Sequence, residues 1–385
     1  MLLSSNHRRF DVAVVGAGVI GLAIAWRAAR RGLRVVVLER GDVGGGASWV
    51  AAGMLAPVTE ARLTELPLLE LGVASAALYP DFVAELQSDT GIDPGYQRYG
   101  TLVVARDRDE AEALERELEV HRRLGLTVSR LRPSEARALE GGLAPGIRLA
   151  LDVSGDHAVD PRRLTEALAR AAQNAGAEVR TGVEVTELVT VGERVDGVLT
   201  SDGGRVQAEH VVVANGVWAG GLAGIADAAM VPVHPVKGQL ARLHDPAGPG
   251  LTTRVLRTGS AYLVPRGDGR YVLGATMEER GFDTTVTAGA VFELLRDASE
   301  VVPGISELVI DELIAGLRPA TPDGLPAIGS GAAPGLHWAV GHFRNGILLA
   351  PVTAQIVVAE LTGEDPPDVA AAVAAARWRT APVGV

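Results

Sequence analysis

Two sets of residues in this chain have the types and spacing to do chemistry. The first is Gly16-Ala17-Gly18-Val19-Ile20-Gly21, placed directly after an apolar run, with Glu39 at the end of the next one. In a strand-turn-helix setting each glycine has a job. Gly16 makes the tight turn, Gly18 lets the backbone approach a pyrophosphate, and Gly21 lets helix and strand pack closely. The helix N-terminus then holds the phosphates, while Glu39 accepts hydrogen bonds from the adenosine ribose. An acidic residue at that point disfavours a 2′-phosphate, so the motif predicts FAD or NAD rather than NADP.

The second set is a pair of arginines. Of 36 basic residues, 35 are arginine and one is lysine, Lys237, yet between Arg296 and Arg377 only Arg318 and Arg344 occur. Both stand in glycine- and proline-punctuated stretches that read as turns after apolar strands. A guanidinium presents a planar fork that matches a carboxylate at two points, so Arg318 is the expected anchor for an acidic small molecule.

Composition removes several other chemistries. Without cysteine there is no disulfide framework, Cys-ligated zinc or thiolate nucleophile. A phosphate-binding P-loop needs a Gly-Lys-Ser/Thr step, and the lone lysine stands in Val236-Lys237-Gly238. Among the eight histidines no pair has i,i+4 spacing, so no metal site is expected. No Gly-x-Ser-x-Gly elbow occurs. His157 and Asp160 read as a turn ahead of a helix rather than an acid-base pair.

The elements that must position these residues follow from periodicity. Residues 10–15 form a buried strand, 19–31 a helix and 33–38 a second strand, a βαβ start that predicts a parallel sheet. Helices are expected over 68–89, interrupted at Pro80, over 107–126, and over 161–175 with proline in its first turn. Short strands follow at 183–191, 194–200 and 205–213. Antiparallel strands are expected at 236–243, 253–256 and 261–276, the last folded into a hairpin at Gly267-Asp268-Gly269. A strand at 336–340, a turn at 341–346 and a helix at 347–361, with Pro351 near its start, close the pattern. Residues 369–377 read as a terminal helix.

At 47% hydrophobic and 22% charged, with a formal charge of -11, the chain reads as a soluble two-domain protein with no nucleic-acid surface. Arg8-Arg9 ahead of the uncharged run 12–26 imitates a secretory signal, but the run is too short to span a membrane and no small-residue cleavage site follows. A cytoplasmic location without membrane contact is therefore expected.

The glycine motif together with Ala47-Ser48-Trp49-Val50-Ala51-Ala52-Gly53-Met54-Leu55-Ala56-Pro57 resembles the FAD-dependent D-amino acid oxidase superfamily. Within it, Gly274-Ala275-Thr276-Met277-Glu278, Gly316-Leu317-Arg318-Pro319-Ala320-Thr321-Pro322-Asp323-Gly324 and Gly341-His342-Phe343-Arg344-Asn345-Gly346-Ile347-Leu348-Leu349-Ala350-Pro351 are similar to the glycine oxidases of thiamine biosynthesis. The resemblance implies a mixed α/β fold: a split Rossmann-like FAD-binding domain, residues 1–78, 148–222 and 319–385, interleaved with a substrate domain on an antiparallel or mixed sheet, residues 79–147 and 223–318. It implies that Val19, Ile20, Glu39, Arg40, Ala47, Ser48, Ala52, Gly53 and Met54 contact FAD. Val183 would meet the adenine side through its backbone. His342, Phe343, Arg344, Asn345, Gly346, Ile347 and Leu348 would cradle the isoalloxazine, where helix N–H groups favour negative charge. Arg318, Arg344, Tyr262 and Met277 would line the substrate pocket, Tyr262 sharing the carboxylate with Arg318. Lys237 lies outside these contacts.

The implied reaction is oxidation of glycine, sarcosine or a small D-amino acid by hydride transfer to flavin N5. Molecular oxygen then gives hydrogen peroxide, and the imine yields glyoxylate and ammonia or enters thiazole synthesis. No side-chain base is evident, which suits a mechanism of positioning. A quinone-linked D-amino acid dehydrogenase and a non-catalytic flavoprotein are the alternatives. The lack of cysteine, and of histidine within residues 47–57, predicts non-covalent FAD. By family analogy the protein is a homo-oligomer, a tetramer.

Overall fold

A computed structural model describes residues 9–379 except 61, 227 and 228. Arg8 of the basic pair, and the two ends of the expected FAD-binding domain at 1–8 and 380–385, lie outside the described residues.

The chain opens with β1 (Phe10–Val15), α1 (Val19–Arg30) and β2 (Val35–Leu38). β1 pairs in parallel with β2 on one side and with Arg205–Val213 on the other. Glu178–Arg180 extends the sheet beyond β2, and Leu336–Val340 then Ala327–Ser330 extend it beyond Arg205–Val213. The four β2 residues are all buried, as expected of a parallel strand covered on both faces. Along β1, Val12 and Val14 join one core cluster while Ala13 and Val15 join the other. The first cluster lies under α1, Pro161–Asn174, Leu66–Thr90 and Gly346–Thr362, and includes the fully buried Trp26, Leu22 and Ile24.

The second sheet has eight strands, ordered Val309–Ala320, His234–His244, Arg270–Gly274, Tyr262–Pro265, Val255–Arg257, Thr101–Ala105, Leu149–Val153 and Ser129–Leu131. Its pairs are antiparallel except Val255–Arg257 with Thr101–Ala105. Hydrogen bonding assigns Leu149–Val153 to this sheet, so residues that the expected boundary at 148 gives to the FAD-binding segment belong to the other sheet.

Three local expectations are corrected. Leu66–Thr90 runs unbroken through Pro80 and ends at Gly91, which has φ +72°. The chain end forms two short 3₁₀ turns, Asp368–Val373 and Ala375–Arg379, rather than a helix. Pro351 is interior to Gly346–Thr362, where its missing N–H leaves the Ile347 carbonyl without its helical partner. The long helix beside it supplies the repair: Tyr79 Oη donates to the Ile347 carbonyl at 2.5 Å, and Ser75 Oγ to the Leu348 carbonyl at 2.6 Å.

Candidate functional site

The glycine turn closes against Arg205–Val213. Gly16 has φ +104°, and a Cβ there would sit 2.8 Å from the Ala214 carbonyl oxygen. A Cβ on Gly21 would lie 2.0 Å from the Gly16 oxygen, so α1 can reach β1 only because that carbon is missing. Gly18, the N-cap of α1, offers no capping side chain, and the first turn carries no acidic residue. The helix end is therefore an anion site by construction. Ser48 Oγ accepts the Val19 N–H at 3.0 Å, tying the second motif to the first. Glu39 is oriented by two backbone donors, Ala17 N–H at 2.7 Å and Gly41 N–H at 2.9 Å. A carboxylate has about four lone-pair sites, so it keeps capacity for two ribose hydroxyls. The Val183 N–H is bound to the Glu39 carbonyl at 2.9 Å, so recognition through that backbone rests on its carbonyl.

These residues open onto one cavity of about 1100 Å³. Pockets for a single drug-sized ligand span roughly 300–1,000 Å³. The larger volume suits an extended dinucleotide with a small substrate at its end. Gly16, Gly18, Val19, Ile20, Glu39 and Arg40 line one part of the wall; Ala47, Ser48, Ala52, Gly53, Met54 and Val183 line another. His342, Phe343, Arg344, Asn345, Gly346 and Ile347 meet Tyr262, Met277 and Arg318 on the remainder. Gly21 and Leu348 are absent from this wall: the first packs between α1 and β1, and the second turns into the core at 2% exposure.

The 47–57 stretch is held by arginines that sequence reasoning missed. Arg162 Nε and Arg242 Nη2 both donate to the Trp49 carbonyl, at 3.1 and 3.0 Å. Arg266 donates to the Ala52 and Val159 carbonyls at 2.7 and 3.0 Å. Burial pulls the Arg242 and Arg266 guanidinium pKa values down to about 10, which still leaves both charged at neutral pH. Arg242 sits in the strand His234–His244 and Arg266 directly follows Tyr262–Pro265 in the hairpin turn, so they clamp the second sheet onto the dinucleotide loop.

At the substrate end, Arg318 lies inside the strand Val309–Ala320 and not in a turn. Its register partner in the adjoining strand is Val236, and its guanidinium lies diagonally over Gly238, where a Cβ would lie 2.3–2.5 Å from the guanidinium atoms. The Tyr262 ring lies over Gly274, its own register partner, where a Cβ would be 2.6 Å from the hydroxyl. Arg318 Nη1 donates to the Thr276 and Lys237 carbonyls at 3.0 and 3.3 Å, which fixes the plane of the fork. Burial pushes the Tyr262 hydroxyl pKa up, against the opposing pull of Arg318, its hydrogen-bond partner, so the phenol stays protonated and can donate. A planar cation beside a phenol O–H is a carboxylate clamp.

Arg344 is placed differently. Its Nε donates to Glu60 Oε2 at 2.5 Å and its Nη2 to Glu65 Oε2 at 2.9 Å. Glu60 Oε1 also accepts Arg257 Nη1 at 3.1 Å. Two carboxylates thus hold Nε and Nη2 of Arg344 on the cavity wall, whereas the Arg318 fork bonds only backbone carbonyls. Arg344 joins the turn Phe343–Asn345 to the segment at Glu60, and Glu60 joins both to the second sheet through Arg257. Neither Glu60 nor Arg257 carries a local motif, and only the fold brings them to the cavity.

The turn itself is strained. Phe343 has φ +47°, a left-handed conformation that a bulky side chain adopts at a cost of about 1–2 kcal/mol. Gly346–Thr362 begins directly after it, with its N-terminus at the cavity wall. His342 is fully buried, its Nε2 2.9 Å from Thr353 Oγ1, and burial takes its pKa down to about 3. The imidazole is thus neutral at physiological pH, with Nε2 held by Thr353.

A mixed sheet with parallel central strands and a glycine-built helix terminus, opening into a cavity that ends in an arginine-tyrosine clamp, defines a dinucleotide-dependent enzyme acting on a carboxylate. Residues 11–360 match the family described as DAO, FAD dependent oxidoreductase. The chain is 40% identical to the glycine oxidase of Geobacillus kaustophilus over 352 residues, covering 91% of this chain and 92% of that one. The crystal structure of glycine oxidase from that organism superposes with a TM-score of 0.89 at 37% identity, covering 96% and 99% of the two chains. A bifunctional ThiO/ThiG protein from Synechocystis is 37% identical over 352 residues, 90% of this chain and 51% of that longer one. The chain belongs to the DAO family of FAD-dependent oxidoreductases. It is an FAD-dependent amino acid oxidase, and the cavity described above has the volume, glycine cradle and helix termini that FAD requires.

Proposed function

We propose that the protein oxidises glycine, and more slowly sarcosine or a small D-amino acid, to the imine, with oxygen as final acceptor. In balance, glycine, O2 and water give glyoxylate, ammonia and H2O2. The imine, where it escapes hydrolysis, would supply thiamine thiazole synthesis, a reading supported by the similarity to ThiO/ThiG.

The observation that carries this reading is the clamp of Arg318 and Tyr262 over two glycines at the end of the FAD cavity. Bound FAD supplies the two-electron acceptor. The chain's own part is to bind the carboxylate at Arg318, donate to it from Tyr262, exclude water and aim the α-carbon. With His342 neutral and bonded to Thr353, the reactive amine arrives already unprotonated. Consequently kcat/KM should rise with pH until the amino group is free.

A peroxide assay across glycine, sarcosine and D-alanine, run beside the visible spectrum of the purified protein, tests the proposal. Yellow protein that forms peroxide with glycine is expected. Substrate bleaching under nitrogen without peroxide in air would point to another electron acceptor, and no bleaching by any small amine would overturn the function.

A further inference from the structure

Lys237, the only lysine, is among the most buried side chains in the protein, at 1% exposure. A buried ammonium is rare unless paired, and breaking such a pair is costly. Its partner is Asp283, whose Oδ2 accepts the Nζ at 2.7 Å; this bond holds the Asp283 carboxyl well below the ordinary range. Asp283 lies in the segment 276–287, which leaves the sheet after Arg270–Gly274 and carries Met277 on the cavity wall.

That segment is strapped to one strand, His234–His244, at successive points. The Lys237 backbone exchanges hydrogen bonds with Glu278 at 2.8 and 3.0 Å. Gln239 takes Thr276 through its backbone, Glu278 through Nε2 at 2.8 Å, and the Thr287 N–H through Oε1 at 2.7 Å. Between Glu278 and Thr287 the described anchors are the Lys237–Asp283 pair and the stack of Phe282 on Trp218, with ring centroids 4.6 Å apart. At the start of the strap, the carbonyls of Thr276 in the strap and of Lys237 in the strand both receive Arg318 Nη1. The position of the guanidinium is therefore coupled to the position of the strap.

We propose that Lys237 is a positioning residue for the substrate carboxylate: its ion pair with Asp283 locks the 276–287 strap and thereby fixes Arg318. The inference rests on the proposed amino acid oxidation, because it concerns the same clamp. The side chain itself touches no substrate. In a strand, alternate residues face opposite sides, and Gly238 and Leu240, not Lys237, face the cavity.

The test uses the FAD-loaded enzyme and two readings. The first is the kcat–KM split for glycine; the second is the Kd of acetate, a carboxylate with no oxidisable amine, read from the perturbation of the flavin spectrum. Lys237→Met should raise both KM and the acetate Kd about tenfold while kcat changes less than about threefold. Asp283→Asn should do the same to a smaller degree. The double variant should be no worse than Lys237→Met alone, since one interaction is lost in each case. Asp283 is 39% exposed, so its variant decides the matter if Lys237→Met does not fold. Unchanged acetate binding in the variants, additive losses in the double variant, or a fall in kcat and thermal midpoint without a rise in KM would overturn the inference. A wild-type protein that neither binds acetate nor oxidises a small amino acid would instead overturn the function beneath it.

Discussion

The two ends of the cavity are made of different material. The dinucleotide end is backbone: missing Cβ atoms at Gly16, Gly18 and Gly21, a helix terminus whose N-cap residue has no side chain, and a glutamate held by amide donors. The carboxylate end is side chain: Arg318 and Tyr262 laid over glycines, with Arg257 and Arg344 neutralised nearby by Glu60 and Glu65. A backbone site depends on closeness between adjacent elements and tolerates no added atoms. A side-chain site depends on the placement of a few groups and loses function without losing the fold.

The sharpest way to break that distinction is one atom at each end. Gly21→Ala places a carbon 2.0 Å from the Gly16 oxygen, between two backbones that cannot both move. It should cost about 3–5 kcal/mol of stability, at the upper end for overpacking, and be read as a large fall in thermal midpoint and loss of bound FAD. Arg318→Ala should leave fold and FAD content intact and lower kcat/KM about a hundredfold or more, equivalent to roughly 3–5 kcal/mol lost from a paired charge. Gly238→Ala is the intermediate case. The atom its Cβ would meet is the far end of the flexible Arg318 side chain, so the fork should shift and KM rise with stability nearly unchanged. If Gly238→Ala instead unfolded the protein and Gly21→Ala did not, the distinction would fail.

The same contrast explains what could be read from the sequence. Gly16 to Gly21 and Glu39 are legible because a backbone site is built from neighbours in the chain, and spacing records their job. Arg318 was visible as an isolated arginine, but its strand and its glycine floor were not, since Gly238 is 80 positions away and has meaning only through the register of two strands. Arg344 looked equivalent to Arg318, and only tertiary contacts with Glu60 and Glu65 separate them. Lys237 lies outside the contacts that the resemblance implies, and its partner Asp283 is brought to it only by the fold. The interior position of Pro351 is illegible for a related reason: the groups that compensate it, Tyr79 and Ser75, come from another helix.

That compensation gives a smaller effect. Tyr79→Phe removes the donor to the Ile347 carbonyl and leaves a buried acceptor without a partner, at a cost of about 1–3 kcal/mol. Because Ile347 sits in the turn of the helix that borders the cavity, the loss should lower the thermal midpoint and weaken FAD retention, while KM for the amino acid stays close to wild type. A rise in KM larger than the change in FAD affinity would show that the two ends are less separable than their construction implies.

The smallest effect concerns the segment that joins the ends. Asp156 is buried, and its carboxylate accepts the Val58 and Thr59 N–H groups at 3.1 and 2.7 Å, just ahead of Glu60. Burial outweighs those bonds and raises its pKa to about 6. An acid whose folded pKa lies above its unfolded value, about 3.9, binds more protons folded than unfolded between the two. Stability from this group is therefore greatest near pH 4 and falls as pH rises to about 6, by roughly 1.4 kcal/mol per unit at most. Asp156→Asn cannot titrate and loses one acceptor, so it should be less stable than wild type near pH 4, and the gap should narrow toward pH 7. Chemical denaturation at closely spaced pH values reads that difference directly. A gap that widens with pH would mean the Val58 and Thr59 donors, not burial, set the carboxylate, and that the joining segment follows the backbone logic of the dinucleotide end.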